Sequence, residues 1–151
     1  MYFAGQFERT LDDKGRVVLP SRLRDGLADG QVLISEFGDR LSIWPADAFE
    51  TFVDDLTDDL YNQADEGSMA LEDANLAIER LWATAEIIKP DAQGRIVVPD
   101  QLLTDALRGA NVVIAGNRDH IDVFPASEYQ ERSEAARPKV TAALARRRRK
   151  R

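Results

Sequence analysis

The stretch DDKGRVVLPSRL at residues 12–23 returns as DAQGRIVVPDQL at residues 91–102. Aspartate, glycine, arginine, valine, proline and leucine recur in register at a constant separation of 79 residues. The similarity continues downstream, where LSIWPA at 41–46 matches IDVFPA at 121–126. The chain therefore contains two copies of one unit, and each copy has a charged turn near its start.

Each copy is predicted to fold in the same order: strand, charged turn, strand, short helix, strand, turn, strand, helix. Gly15 and Gly94 can adopt positive φ at low cost, as a tight turn between strands requires. Pro20 and Pro99 cannot donate a hydrogen bond to a β-ladder, so each ends a strand and suits the start of a helix. Two further prolines are expected to begin the later helices: Pro45 and Pro125.

A helical region separates the two copies. Apolar residues recur there with the 3.6-residue period of an α-helix, and residues 62–68, which include Gly67, are expected to break the region into two helices. The acidic residues of this region lie mostly on the other faces of these helices. After Tyr129 we expect a terminal helix that is interrupted near Pro138.

These elements predict an α+β protein in which the two units share one core. We expect a first unit over residues 1–60, a helical connection over 61–86, a second unit over 87–132 and a basic tail over 133–151. A unit of about 50 residues buries too little apolar surface to be secure alone. No linker rich in glycine, serine and proline joins the units, so a shared core is favoured over two tandem domains.

The charge of the chain is strongly asymmetric. The net charge of the 151 residues is −7, yet every residue from Arg146 to Arg151 is basic. Global acidity argues against a protein that coats DNA nonspecifically, but a local basic patch still acts, because salt screens charges beyond about 8 Å. The sequence has no cysteine, no apolar run of membrane-spanning length and no secretory leader pattern. We therefore expect a cytoplasmic protein with no membrane partner.

The two charged turns are the candidate functional surface. In the first copy, basic residues Lys14, Arg16, Arg22 and Arg24 accompany Asp12, and in the second copy Arg95 accompanies Asp91. An arginine can contact a phosphate or bind guanine through its planar guanidinium, and an aspartate four residues earlier can hold it in place. The alternative is that each Asp–Arg pair only closes its turn. Because the second copy has fewer basic residues, the first turn is expected to provide most of the binding.

The repeated phrase, which follows the opening MYFAG, resembles the paired motifs of the MraZ family over residues 1–129. The resemblance implies a double SpoVT-AbrB fold, in which two units with swapped hairpins form one pseudo-two-fold barrel with flanking acidic helices. It also implies a DNA-binding transcriptional regulator, associated with the nucleoid, that acts through direct repeats in the promoter of the division and cell-wall gene cluster. Members form closed rings, so double-stranded DNA and further copies of the chain are the expected partners.

The family's Asp-x-x-x-Arg motif contacts DNA, and this role carries over to Asp12 and Arg16 and to Asp91 and Arg95. Lys14, within the first motif, is an expected phosphate contact. Gln93 stands where the first copy has Lys14, which again favours unequal contributions from the two turns. Further candidate DNA contacts are Arg22 and Arg24.

Other sites have little support in the sequence. His120 is the only histidine and is expected at the surface of a turn, whereas Trp44, Trp82 and Phe124 are expected in the core. No nucleophile–base pair or metal-ligand spacing is recognisable, so neither an enzyme nor a cofactor is predicted. Residues 146–151 are expected to form a disordered tail that adds DNA affinity. Two other functions stay open: an antitoxin-like AbrB protein, and a scaffold that docks through its acidic helices.

Overall fold

The computed structural model describes residues 2–28 and 30–150. Within these residues the chain is an α+β protein with antiparallel β-structure and four α-helices. In chain order the elements are β1 (Gln6–Thr10), β2 (Arg16–Val18), α1 (Ser21–Arg24), β3 (Val32–Phe37), β4 (Arg40–Pro45), α2 (Ala46–Asp65), α3 (Leu71–Thr84), β5 (Glu86–Ile88), β6 (Arg95–Val97), β7 (Asn111–Gly116), β8 (Ile121–Pro125) and α4 (Ala126–Arg149). Short 3₁₀ turns follow α1 and β6, at Asp25–Leu27 and Asp100–Leu102.

The two copies exchange strands. Six strands form one sheet in the order β1-β7-β8-β4-β3-β5, and β2 and β6 form a separate two-stranded sheet. Thus β1 of the first copy pairs with β7 of the second, and β5 of the second copy pairs with β3 of the first. The sheet is open, with β1 and β5 at its edges, so the closed barrel is not confirmed.

A single main core joins the two copies, as the small size of each unit predicted. Leu11, Val17 and Leu19 of the first copy pack in one cluster with Ile96 and Ile114 of the second. A smaller cluster joins Trp44 on β4 to the apolar face of α2. Trp82 was expected in the core but is 44% exposed, and its ring meets that of Phe49 in an edge-to-face arrangement at a centroid distance of 5.1 Å.

The helices differ from the expectation in two places. Helix α2 continues to Asp65 and α3 begins at Leu71, so the break between them is shorter than the predicted one at residues 62–68. Gly67 lies in this break and has a positive φ of +80°. Helix α4 passes through Pro138 without interruption and ends at Arg149. The expected disorder of the tail is therefore wrong for residues 146–149, and Arg151 lies outside the described residues. Pro138 has no N–H, so the carbonyl one turn earlier in α4 receives no helical hydrogen bond. Water can bind this carbonyl instead, because this part of α4 is exposed on all sides.

His120 is buried, contrary to the expected surface position. Its ring stacks on Trp44 at a centroid distance of 4.1 Å, and Nε2 lies 3.2 Å from Oδ1 of Asp122. The same carboxylate accepts a hydrogen bond from Ser42, which faces it directly in the β4–β8 pair, and lies 3.5 Å from Arg40. Burial alone would lower the pKa of His120, but the contacts with Asp122 and Asp119 outweigh it and raise that pKa.

None of the helices, over the part of the chain that is described, is both long and apolar enough to cross a bilayer.

Candidate nucleic-acid interface

The two repeated motifs meet in the ribbon formed by β2 and β6. Val17 pairs with Ile96 at its centre, and both side chains are buried in the main core. Because side chains alternate along a strand, the neighbouring positions face away from the core. The outer face of the ribbon is therefore two arginines and two half-exposed valines: Arg16, Val18, Arg95 and Val97.

The first turn is organised by the carboxylate of Asp12. Its Oδ1 accepts the backbone N–H groups of Lys14 at 3.0 Å and Arg16 at 2.7 Å, and its Oδ2 accepts Nε of Arg16 at 2.7 Å. Gly15 completes the turn with a φ of +84°. Hydrogen bonds from the backbone and side chain of Arg16 lower the pKa of Asp12, so the carboxylate is charged at neutral pH.

The second turn repeats this arrangement. Oδ1 of Asp91 accepts the backbone N–H groups of Gln93 and Arg95, each at 2.9 Å, and Oδ2 accepts Nε of Arg95 at 3.0 Å. Backbone hydrogen bonding from Arg95 is the main cause that lowers the pKa of Asp91. Each motif thus holds its arginine through Nε, and each arginine side chain stays about half exposed, at 49% for Arg16 and 52% for Arg95.

Each turn also accepts a backbone hydrogen bond from the other copy of the unit. The backbone N–H of Leu19 donates to the carbonyl of Gly94 at 2.8 Å, and that of Val98 donates to the carbonyl of Gly15 at 2.7 Å. A Cβ added to Gly94 would lie 2.6 Å from Nη1 of Arg24, so this side chain covers the second turn. Arg24 belongs to the first copy in the sequence, but the strand exchange brings it to the end of the ribbon opposite the first turn.

The first turn receives an arginine from the second copy in return. Nη1 of Arg108 donates to the carbonyl oxygen of Asp13 at 2.7 Å. Lys14 and Arg22 are exposed, the former at the tip of this turn and the latter on α1. Neither makes a side-chain hydrogen bond or ion pair within the described residues.

Sequence reasoning missed Arg108 and the two outward valines. Arg108 has no basic counterpart at residues 28–29 of the first copy, so comparison of the repeats gave no signal for it. Val18 and Val97 are identified only by the alternation of the ribbon, where they flank the buried central pair. In the sequence, the alternation of inward and outward side chains around Val17 and Ile96 was the signal that could have identified these valines.

The sequence matches a family model described as MraZ protein, putative antitoxin-like, over residues 2–70 and 81–150. The chain belongs to the MraZ family. Each of the two matched segments contains one copy of the repeated motif, in agreement with the duplication. The family resemblance of the repeated phrase is thereby confirmed.

Curated relatives of this MraZ-family chain carry the name transcriptional regulator MraZ. The protein of Mycolicibacterium smegmatis is 32% identical over 145 residues, which cover 93% of each chain. That of Cutibacterium acnes is 32% identical over 133 residues, or 88% of each chain. That of Roseiflexus castenholzii is 31% identical over 128 residues, covering 85% of this chain and 84% of the relative. These names describe regulators and not enzymes.

Proposed function

We propose that the chain is a sequence-specific DNA-binding transcriptional regulator that contacts DNA with the outer face of the β2–β6 ribbon. The observation that carries the proposal is the pair of exposed arginines, Arg16 and Arg95, each held by an aspartate of its own turn. The names of the relatives support regulation of transcription.

A two-stranded ribbon fits the major groove of B-DNA, where each base pair presents a distinct pattern of donors and acceptors. The terminal nitrogens of an arginine form two hydrogen bonds with O6 and N7 of guanine. Asp12 and Asp91 bind Nε, which leaves those terminal nitrogens for the base. Holding the guanidinium in advance reduces the conformational entropy lost on binding. Between the arginines, Val18 and Val97 offer apolar contacts to thymine methyl groups.

One ribbon provides few contacts, so specific binding needs several copies. A protein that makes two or three phosphate contacts binds weakly at physiological salt. Copies linked in one assembly meet successive sites at high effective concentration. The finer proposal is therefore a closed ring of subunits, with a pseudo-two-fold axis in each. The ring would act on the nucleoid in the cytoplasm, at direct repeats in the promoter of the division and cell-wall gene cluster.

The test starts from DNA selected by the wild-type protein out of a random library, with the mass of the assembly measured on the same sample. Arg16→Ala and Arg95→Ala are then compared with Arg80→Ala. Arg80 is held through Nε by Glu36 at 2.7 Å, but it lies on α3 and not on the ribbon.

Each ribbon variant should lose about 1–3 kcal/mol of discrimination between the correct and a wrong base per contact. The ratio of its affinities for the selected DNA and for DNA with the wrong base should fall by about 5- to 150-fold. Arg80→Ala should bind like the wild type. Because the two turns have the same geometry, the losses should be similar, although the sequence favoured the first turn. Unchanged binding by both ribbon variants in a shift assay would refute the proposed interface, and a monomer at micromolar concentration would refute the ring.

A further inference from the structure

Arg108 lies where the second copy of the unit meets the first turn. Its Nη1 donates to the carbonyl of Asp13, and the adjacent Gly109 N–H donates to the carbonyl of Asp12 at 3.4 Å. The backbone N–H of Leu11 donates to the carbonyl of Ala110 at 2.9 Å. Three successive residues of the second copy are thus bound to residues 11–13, which holds the Arg108 guanidinium against the first turn at the residue before Lys14.

The guanidinium of Arg108 has a carbonyl oxygen, and no carboxylate of the described residues, as its hydrogen-bond partner. The side chain is exposed, and it makes no ion pair within the described residues, although Asp13 and Asp105 are its neighbours in space and in sequence. Among the described residues, five other arginines do form an ion pair with an acidic side chain: Arg16, Arg40, Arg80, Arg95 and Arg132. A guanidinium has five N–H donors, so the bond to a neutral carbonyl leaves most of them available.

We propose that Arg108 binds a DNA phosphate next to the base contacted by Arg16. This inference rests on the proposed function, because it adds a backbone contact to the same ribbon. A strand of three residues is about 10 Å long at about 3.3 Å per residue, and the major groove is about 12 Å wide. A ribbon of this length places its turns near the phosphates that border the groove. Lys14 and Arg108 would face one row of phosphates, and Arg24, over the second turn, would face the other.

The assignment separates two kinds of contact within one turn. Arg16 specifies the base, whereas Arg108 strengthens binding to every sequence equally, because phosphates carry no sequence information. Loss of a phosphate contact also lowers the dependence of binding on salt, since fewer counterions are released.

The test compares Arg108→Ala with Arg108→Lys and with a control, Arg137→Ala. Arg137 is an exposed arginine of α4 that likewise makes no ion pair within the described residues. The logarithm of the binding constant is measured against the logarithm of salt concentration, on the selected DNA and on a scrambled duplex. Urea unfolding of each variant establishes that it is folded.

For Arg108→Ala the slope should fall by about 0.9 for each ribbon engaged, and the ratio of specific to nonspecific affinity should stay constant. Arg108→Lys should keep most of the slope, and Arg137→Ala all of it. A folded Arg108→Ala with an unchanged slope would overturn the assignment and leave the arginine only a role in holding the turn. Failure of the wild type itself to select any DNA would instead refute the proposed function.

Discussion

Alanine at Gly15 should destabilise the protein more than alanine at Gly94, although the two glycines occupy the same place in the repeat. Their φ angles are nearly equal, at +84° and +81°. Their neighbours differ. A Cβ at Gly15 would lie 2.7 Å from the carbonyl oxygen of Val98, which belongs to the backbone of the ribbon. At Gly94 the nearest atoms belong to the flexible side chain of Arg24, and the nearest backbone oxygen, that of Leu19, is 3.2 Å away.

The magnitudes follow from these contacts. A left-handed conformation costs an alanine about 1–2 kcal/mol. At Gly15 the clash also displaces Val98, whose N–H donates to the carbonyl of Gly15 at 2.7 Å, and a lost hydrogen bond adds about 0.5–1.5 kcal/mol. We therefore expect a loss of about 1.5–3.5 kcal/mol for Gly15→Ala. For Gly94→Ala we expect about 1–2 kcal/mol, because Arg24 can move aside.

The assay is urea unfolding at one fixed protein concentration, since self-association changes the apparent stability. Gly38→Ala is the matched control: its φ is +66° and no atom lies within 4 Å of an added Cβ, so it reports the cost of the conformation alone. Gly15→Ala is expected to be the most destabilising of the three, whereas Gly94→Ala and Gly38→Ala should lie close together. If Gly15→Ala were no less stable than Gly38→Ala, the close packing of the ribbon against the first turn would contribute nothing, and the reasoning would be refuted.

Two further predictions concern parts of the chain outside the ribbon. The pKa of His120 is higher in the folded protein than its unfolded value of 6.5, so protonation of this imidazole stabilises the fold. The stabilisation is complete below pH 6.5 and is lost as the pH rises through the folded pKa. The unfolding free energy of the wild type should therefore fall as pH rises above 6.5, with a flatter profile for His120→Gln; an NMR titration midpoint below 6.5 for this single imidazole would contradict the prediction. Truncation after Ala145, which removes the basic end of α4, should flatten the salt dependence of DNA binding while sparing sequence preference, and an unchanged slope would remove the DNA role of this segment.

The local features of the repeat could be predicted from the sequence because their causes are local. A tight turn requires positive φ, so Gly15 and Gly94 were identified without any knowledge of the fold. Helices α2 and α4 begin directly after Pro45 and Pro125, as the fixed φ of proline favours. The spacing of each Asp–Arg pair matches the turn it closes, so these ion pairs were also predictable.

The remaining features depend on contacts between distant parts of the chain. The three-residue strands β2 and β6 contain too little pattern to specify their partner or register, and so the positions of Arg24 and Arg108 could not be derived. His120 is buried because Trp44 stacks on its ring, and that packing is set by pairing between β4 and β8. The domain boundaries drawn along the sequence stay a prediction, since strands of both units share one sheet.

Strand exchange also explains why joining the two copies in one chain favours their association over that of two separate chains. Each turn needs backbone contacts from the other copy, so a single unit would have to associate with a second one before it could present an arginine. Linking the copies makes that association intramolecular, at the high effective concentration of a tether. It also allows the copies to diverge, as Lys14 has from Gln93 and Arg24 from Leu103. Identical subunits related by a two-fold axis bind palindromes. A ribbon whose two ends differ lacks that exact symmetry, and this asymmetry is compatible with the proposed ring, whose subunits would contact sites repeated in the same direction.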